Sequence, residues 1–190
     1  MCLMFSGAVF AQEEGTNEHD GFFLRFQLGA GYQSLTYQAN PDVVFSGLAG
    51  NFVFQIGGAL MNNFILFGEI NSVLVDEPKV KVGSASGTAE GVSVSVVGLG
   101  GGFSYYVMPS NVYLSLSVTA SKATLEDSYS SGESEYGLGT TLSLGKEWWV
   151  SENWGLGVAL VGQFAYMKDK GVSNKMYNYY GGIAFSATFN

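Results

Sequence analysis

One cysteine, one histidine and three prolines stand in 190 residues, and only 13% of the chain is charged. Each scarcity excludes something. The cysteine, Cys2, lies in the opening run MCLMFSGAVFAQEEG, where Val9 and Ala11 sit at the positions a signal peptidase reads. No Lys or Arg precedes its apolar core, so residues 1–11 are read as a truncated signal peptide, cut before Gln12. Without Cys2 the chain has no thiol, so neither a disulfide framework nor a cysteine metal site is available. With His19 as the lone histidine, the usual zinc ligand sets are missing too. Net charge is -8 with no basic stripe, which argues against a nucleic-acid partner. No apolar run reaches the roughly 18 residues that a membrane helix needs, because Gly, Ser, Asn, Gln or Glu interrupts each one.

What is present is glycine (27), phenylalanine (14) and tyrosine (11), arranged with period two. Phe22, Leu24, Phe26, Leu28, Ala30 and Tyr32 alternate with a set that includes Arg25, Gln27, Gly29, Gly31 and Gln33. Only an extended strand sends two such sets to opposite faces. The alternation returns at Val112 to Ser121, Gly137 to Leu144 and Gly155 to Leu160. Eight segments follow, over residues 21–36, 46–60, 63–76, 91–107, 112–125, 135–149, 154–168 and 176–189. Three joins are tight and polar, LMNN, MPSN and VSEN, as hairpin turns require. The other four are long, charged or rich in Gly and Ser. Short turns alternating with long loops, with both ends on the short-turn side, predict an all-β fold. It is an eight-stranded antiparallel up-and-down transmembrane β-barrel spanning residues 21–190, after an arm at 12–20.

The faces separate membrane from water. The polar face is Gly, Ser, Thr, Gln and Asn, and the apolar face lacks the Lys and Glu of a wet surface. An Arg or Lys facing lipid at mid-bilayer costs about 2–4 kcal/mol, so the apolar face is expected to point outward into lipid. All three tryptophans, Trp148, Trp149 and Trp154, flank the VSEN turn. An indole, apolar with one N–H, prefers the membrane boundary. The expected girdle at this rim comprises Trp148, Trp149 and Trp154 with Phe22, Phe64, Tyr106 and Phe189. A second ring near the long loops would include Tyr32, Phe45, Tyr136, Phe164, Tyr166 and Tyr177.

The eight segments with three tight turns, the signal-like start, and NWGLGV opening a strand after a turn resemble the small outer-membrane β-barrel domain family of Gram-negative bacteria, to which OmpX-like and OmpW-like proteins are related in shape. The likeness covers Gly21 to Asn190. It implies an outer-membrane location with periplasmic termini and extracellular long loops, and contact with outer-membrane lipid and lipopolysaccharide. It also implies insertion by the barrel assembly machinery, which reads a terminal aromatic preceded by alternate apolar residues. Tyr179, Ile183, Phe185 and Phe189 fit that signal, and Asn190 after the aromatic departs from it. A monomer is expected.

The interior of an eight-stranded barrel is just wide enough for side chains. Arg25, Glu69 and Glu147 are the expected inward charges, with Gln27, Asn51, Gln55, Asn71 and Gln163 as inward amides. In so narrow a lumen they are predicted to form an ion-pair and amide network around Arg25 that plugs the barrel. A gate for ions or small solutes is the functional alternative, favoured by inward glycines at 29, 31, 57, 137, 139, 155, 157 and 182. Lys146 breaks the pattern: strict alternation turns it to lipid, so it must snorkel or a bulge must shift the register. His19 precedes the first strand at the periplasmic end, which argues against a Ser-His hydrolase at the outer rim. No catalytic site and no cofactor are expected. The acidic loop LEDSYSSGESE, with Glu126, Asp127, Glu133 and Glu135, reads either as solvated charge or as a cation site facing lipopolysaccharide phosphates. The loop with Lys79 and Lys81 could extend its strands as a hairpin, a sticky edge for an external protein. The expected role is structural or surface-interacting, with a narrow pore or transporter for small or apolar solutes next and a soluble ligand-binding barrel third.

Overall fold

The computed structural model describes residues 18–171 and 174–190. The signal-peptide reading and positions 12–17 of the arm fall outside the described residues. Eleven strands form in chain order: β1 (Phe22–Tyr37), β2 (Val43–Met61), β3 (Phe64–Asp76), β4 (Lys79–Val82), β5 (Ala85–Thr88), β6 (Ser93–Val107), β7 (Val112–Glu126), β8 (Ser131–Glu133), β9 (Gly137–Trp149), β10 (Trp154–Lys168) and β11 (Lys175–Phe189).

Strands β1, β2, β3, β6, β7, β9, β10 and β11 pair antiparallel with their neighbours in that order. Pairing of β1 with both β11 and β2 closes the sheet, so the barrel has no open edge. Closure satisfies every ladder position within the wall, as a chain in lipid requires. These strands run 13 to 19 residues, longer than the roughly 9–11 needed to cross hydrocarbon, so they project beyond it.

Local chemistry explains the turns. Asn63 and Asn111 take φ of 66° and 51°, left-handed conformations that Asn tolerates better than most residues, and they close the β2–β3 and β6–β7 hairpins. At β9–β10 the Val150 amide donates to the Trp154 carbonyl at 2.8 Å, and the Trp154 amide donates to Ser151 Oγ at 3.1 Å. A register shift between Ala59 and Met61 is confined to the short-turn end of β2.

At the other end the sheet grows beyond the barrel. Strands β4 and β5 form a hairpin whose β4 pairs with the first residues of β2, Val43 to Ser46. The far edge of β5 is unpaired, and β8 adds to the end of β7. The loop with Lys79 and Lys81 is thus strand, built on the barrel wall.

Alternation sorts the side chains. Leu28, Leu48, Leu99, Leu138, Leu160 and Ile183 all lie outside and exposed, whereas Arg25, Gln55, Ser117 and Ser143 lie inside and buried. An apolar band of this extent is far larger than a water-facing surface normally carries, and it fits lipid.

Candidate functional site

The lumen is filled in layers. At the short-turn end His19, from the arm, stacks on Tyr106 with ring centroids 3.6 Å apart and lies 5.0 Å from the Trp149 ring. Its Nε2 donates to Asn111 Oδ1 at 3.0 Å, while the His19 amide donates to Asn63 Oδ1 at 3.2 Å and the Asn63 amide to the His19 carbonyl at 2.8 Å. Two of the tight turns therefore hold the arm across the barrel mouth. Burial holds the imidazole pKa below its ordinary value, against the opposing effect of the Asn111 hydrogen bond.

Above it lies Arg25, fully buried. Its Nε donates to Thr188 Oγ1 at 3.2 Å and faces Glu147 Oε1 at 3.6 Å. Its Nη1 donates to Gln55 Oε1 at 3.1 Å and Ser104 Oγ at 3.2 Å, and its Nη2 donates to the Tyr106 hydroxyl. The Tyr113 ring covers the guanidinium with its centroid 3.8 Å from Cζ, a cation–π contact shielded from water. Glu147 Oε1 accepts from Ser186 at 2.5 Å and Thr188 at 2.7 Å, and its Oε2 accepts from Tyr106 at 3.2 Å. Each ion is thus met by hydrogen-bonding groups as well as by its counter-ion, the condition under which burial of a pair is tolerated.

The network runs on. Gln55 Nε2 donates to Glu69 Oε2 at 2.8 Å, and Glu69 Oε1 accepts from Asn71 at 2.8 Å and Ser117 at 2.7 Å. Asn71 also donates to Thr141 Oγ1 at 3.1 Å. Gln27 Nε2 donates to the Tyr113 hydroxyl at 2.8 Å, which fixes the ring that covers Arg25. Gln163 and Asn51 stand apart. Both lie inside, Asn51 Nδ2 donating to the Ser72 carbonyl at 3.4 Å, and Gln163 lines a gap of about 10 Å3 beside Thr119, Ser121 and Asn178. That gap is room for about one water molecule.

Six of the eight inward polar residues named from the sequence therefore belong to one connected cluster. Sequence reasoning missed Tyr106 and Tyr113, the two phenols that contact Arg25, and the hydroxyls of Ser104, Ser117, Ser186 and Thr188. Tyr113 was legible, because it shares a phase with Ser115, Ser117 and Thr119.

No family model and no characterised sequence matches the chain. Solved structures do. Neisserial surface protein A is 14% identical with a TM-score of 0.52, over 86% of this chain and 96% of its own. The outer membrane protein OprG of Pseudomonas aeruginosa is 15% identical with a TM-score of 0.53, over 92% of this chain and 98% of its own. The fold is that of the small eight-stranded outer-membrane barrels.

As in such a barrel, aromatics ring the short-turn rim on the outside. Phe189 lies 6.3 Å from Phe22 and 5.4 Å from Trp154, Phe64 stacks on Phe103 at 5.7 Å, and Trp148 is exposed. Two expected girdle members are not there. Tyr106 is buried in the lumen on Arg25, and Tyr105, 52% exposed, takes the outward place opposite Phe64. In β6 both phases carry apolar residues, so alternation alone did not fix which tyrosine faces lipid. Trp149 follows the inward residue Glu147 by two and turns over the mouth toward His19. Phe45 of the expected second ring also points inward, opposite buried Leu35. Lys146 snorkels without a bulge: its Nζ donates to the Ser110 carbonyl at 2.5 Å and lies 5.3 Å from the Trp148 ring.

The acidic loop is organised by its own partners. Asp127 Oδ1 accepts from the Tyr129 and Ser130 amides at 2.7 Å each, and these bonds hold its carboxyl below the usual range. Glu133 pairs with Lys122 at 2.7 Å. Among the described residues no three His, Cys, Asp or Glu side chains converge as a metal site.

Proposed function

We propose that this chain is a sealed barrel in the outer membrane of a Gram-negative bacterium, with a structural or surface-interaction role, its termini periplasmic and its long loops extracellular. The observation that carries this reading is the Arg25–Glu147 layer. It joins β1 to β9 across the lumen with neither side chain exposed, and the His19 cap lies beneath it. Opening a path would part Arg25 from Glu147 and break the hydrogen bonds that Thr188, Gln55, Ser104 and Tyr106 make to the pair. The apolar band, the aromatic rim and the snorkelling Lys146 support contact with lipid. The β4–β5 hairpin, with its free edge, is the surface best suited to an external partner, since unpaired backbone N–H and C=O groups template strand addition.

The test is single-channel conductance in planar bilayers. The native chain is expected to give no discrete steps at any pH. Steps from the native chain would overturn the sealed-barrel reading in favour of a narrow pore, and steps seen only when Arg25 or Glu69 is neutralised would mark a gate.

A further inference from the structure

The extracellular mouth holds a second feature unrelated to the plug. Above the polar belt, Leu35, Val94, Val96, Ala123, Ala165, Met167 and Met176 form a compact apolar floor. Over it opens a cup of about 270 Å3, walled by Val43, Phe45, Leu125 and Met176 and edged by Tyr37 and Asp169. This lies between the roughly 150 Å3 cavity that accepts benzene and the smallest clefts, about 300 Å3, that take drug-sized ligands. A ligand somewhat larger than a single ring fits. Met176 in the lining, with Met167 packed beneath it, lets the cup adapt to its shape.

The polar edge selects the charge. Asp169 Oδ2 accepts from the Tyr37 hydroxyl at 2.7 Å, and the same hydroxyl accepts from Asn174 Nδ2 at 2.7 Å. Among the described residues no hydrogen bond reaches Asp169 Oδ1. The Ser134 hydroxyl is already committed, accepting from the Ala123 amide at 2.9 Å and donating to the Glu135 carbonyl at 2.8 Å. Among the described residues no Lys or Arg lines the cup; Glu133 lines it, with its carboxylate paired to Lys122 at 2.7 Å. The Tyr37 and Phe45 rings add negative faces, which attract an ammonium. An anion would meet Asp169 instead. A neutral ligand would gain the apolar contacts but no charge partner.

We propose that this cup binds a small cationic amphiphile, an alkyl- or arylalkyl-ammonium whose apolar body rests on Met176, Leu125 and Phe45 and whose ammonium meets Asp169. The floor separates the cup from the plug, so the site captures its ligand without passing it on.

Methionine-methyl NMR on the folded barrel in nanodiscs tests this, with 4-phenylbutylamine, 4-phenylbutanol and 4-phenylbutyrate as matched probes. The amine is expected to shift the Met176 methyl saturably and at least tenfold more tightly than the alcohol, with the carboxylate weakest. Met61, exposed at the opposite end, reports partition into lipid and should stay in place. Asp169→Asn should weaken the amine at least tenfold and leave the alcohol within about twofold. Ala123→Phe, which fills the cup, should abolish both. Equal binding of amine and carboxylate, shifts at Met61 that match those at Met176, or full amine affinity in Asp169→Asn would each overturn the proposal. The ranking of probes on the native chain decides the matter even where a variant does not fold.

Discussion

Arg25 Nε lies 3.6 Å from Glu147 Oε1 in the middle of the plug, although β1 and β9 share no backbone hydrogen bond. Two strands of the barrel wall are thereby tied through the lumen as well as through the sheet. Glu69, the other inward carboxylate, reaches Arg25 only through Gln55.

Removing one partner should hurt more than removing both. Arg25→Met leaves Glu147 buried without a cation, and is expected to cost about 3–5 kcal/mol in urea unfolding from lipid vesicles. Arg25→Met combined with Glu147→Leu should recover most of that loss, because an apolar pair of similar volume leaves no orphaned charge. A single variant as stable as the native barrel would mean the pair contributes nothing to the plug.

Gly145 is needed beneath Tyr113. The two are cross-strand partners, and a Cβ at 145 would lie 2.4 Å from Tyr113 Cζ. That ring cannot swing aside without giving up Arg25 and its bond from Gln27. Gly145→Ala should therefore destabilise the barrel by about 1–3 kcal/mol, the usual cost of overpacking. Boiled and unboiled gel mobility against temperature would register it as earlier loss of the compact band.

The outward face can be tested by depth. Leu160 is exposed and sits near the middle of β10, so Leu160→Arg should cost about 2–4 kcal/mol in a bilayer. Tyr32→Arg, closer to the loops, should cost no more than about 1 kcal/mol. Equal costs at the two positions, read from unfolding in vesicles, would contradict a hydrocarbon-facing band.

The cap should respond to pH through His19. Its folded pKa is lowered by burial, so the unfolded or released arm binds the extra proton. Stability from the closed cap is complete above the ordinary imidazole pKa of 6.5 and is lost as pH falls through it toward the lowered folded value. Hydrogen exchange at the Asn63 amide, which donates to the His19 carbonyl, should quicken below about pH 6.5 beyond its intrinsic rate. His19→Gln should remove that dependence. Retention of it in the variant would place the titrating group elsewhere.

Period two was enough to read the wall. From Phe22 to Tyr32 and from Val112 to Ser121, alternation in sequence gives alternation in space, because a strand rotates each residue half a turn from the last. Asn in LMNN and MPSN marked turns that need left-handed residues, and the predicted segments lie within a few residues of the eight barrel strands. The inward charges followed from the same periodicity. What it could not give was phase in β6, where Val94 and Val96 face inward while Val97, Leu99 and Phe103 face out, so Tyr105 holds the outward place expected of Tyr106. Nor could it choose Glu147 over Glu69 for Arg25, since that choice depends on which strands face each other once the sheet closes. The cup is of the same kind: Tyr37 and Phe45 stand on neighbouring β1 and β2, but Asp169, after β10, reaches them only once β11 pairs with β1 and closes the mouth. Sequence by itself determined that each strand's residues alternate between two faces, a local property of the extended backbone. Closure decided which inward residues touch, because contacts across a lumen follow the curvature and stagger of the whole sheet.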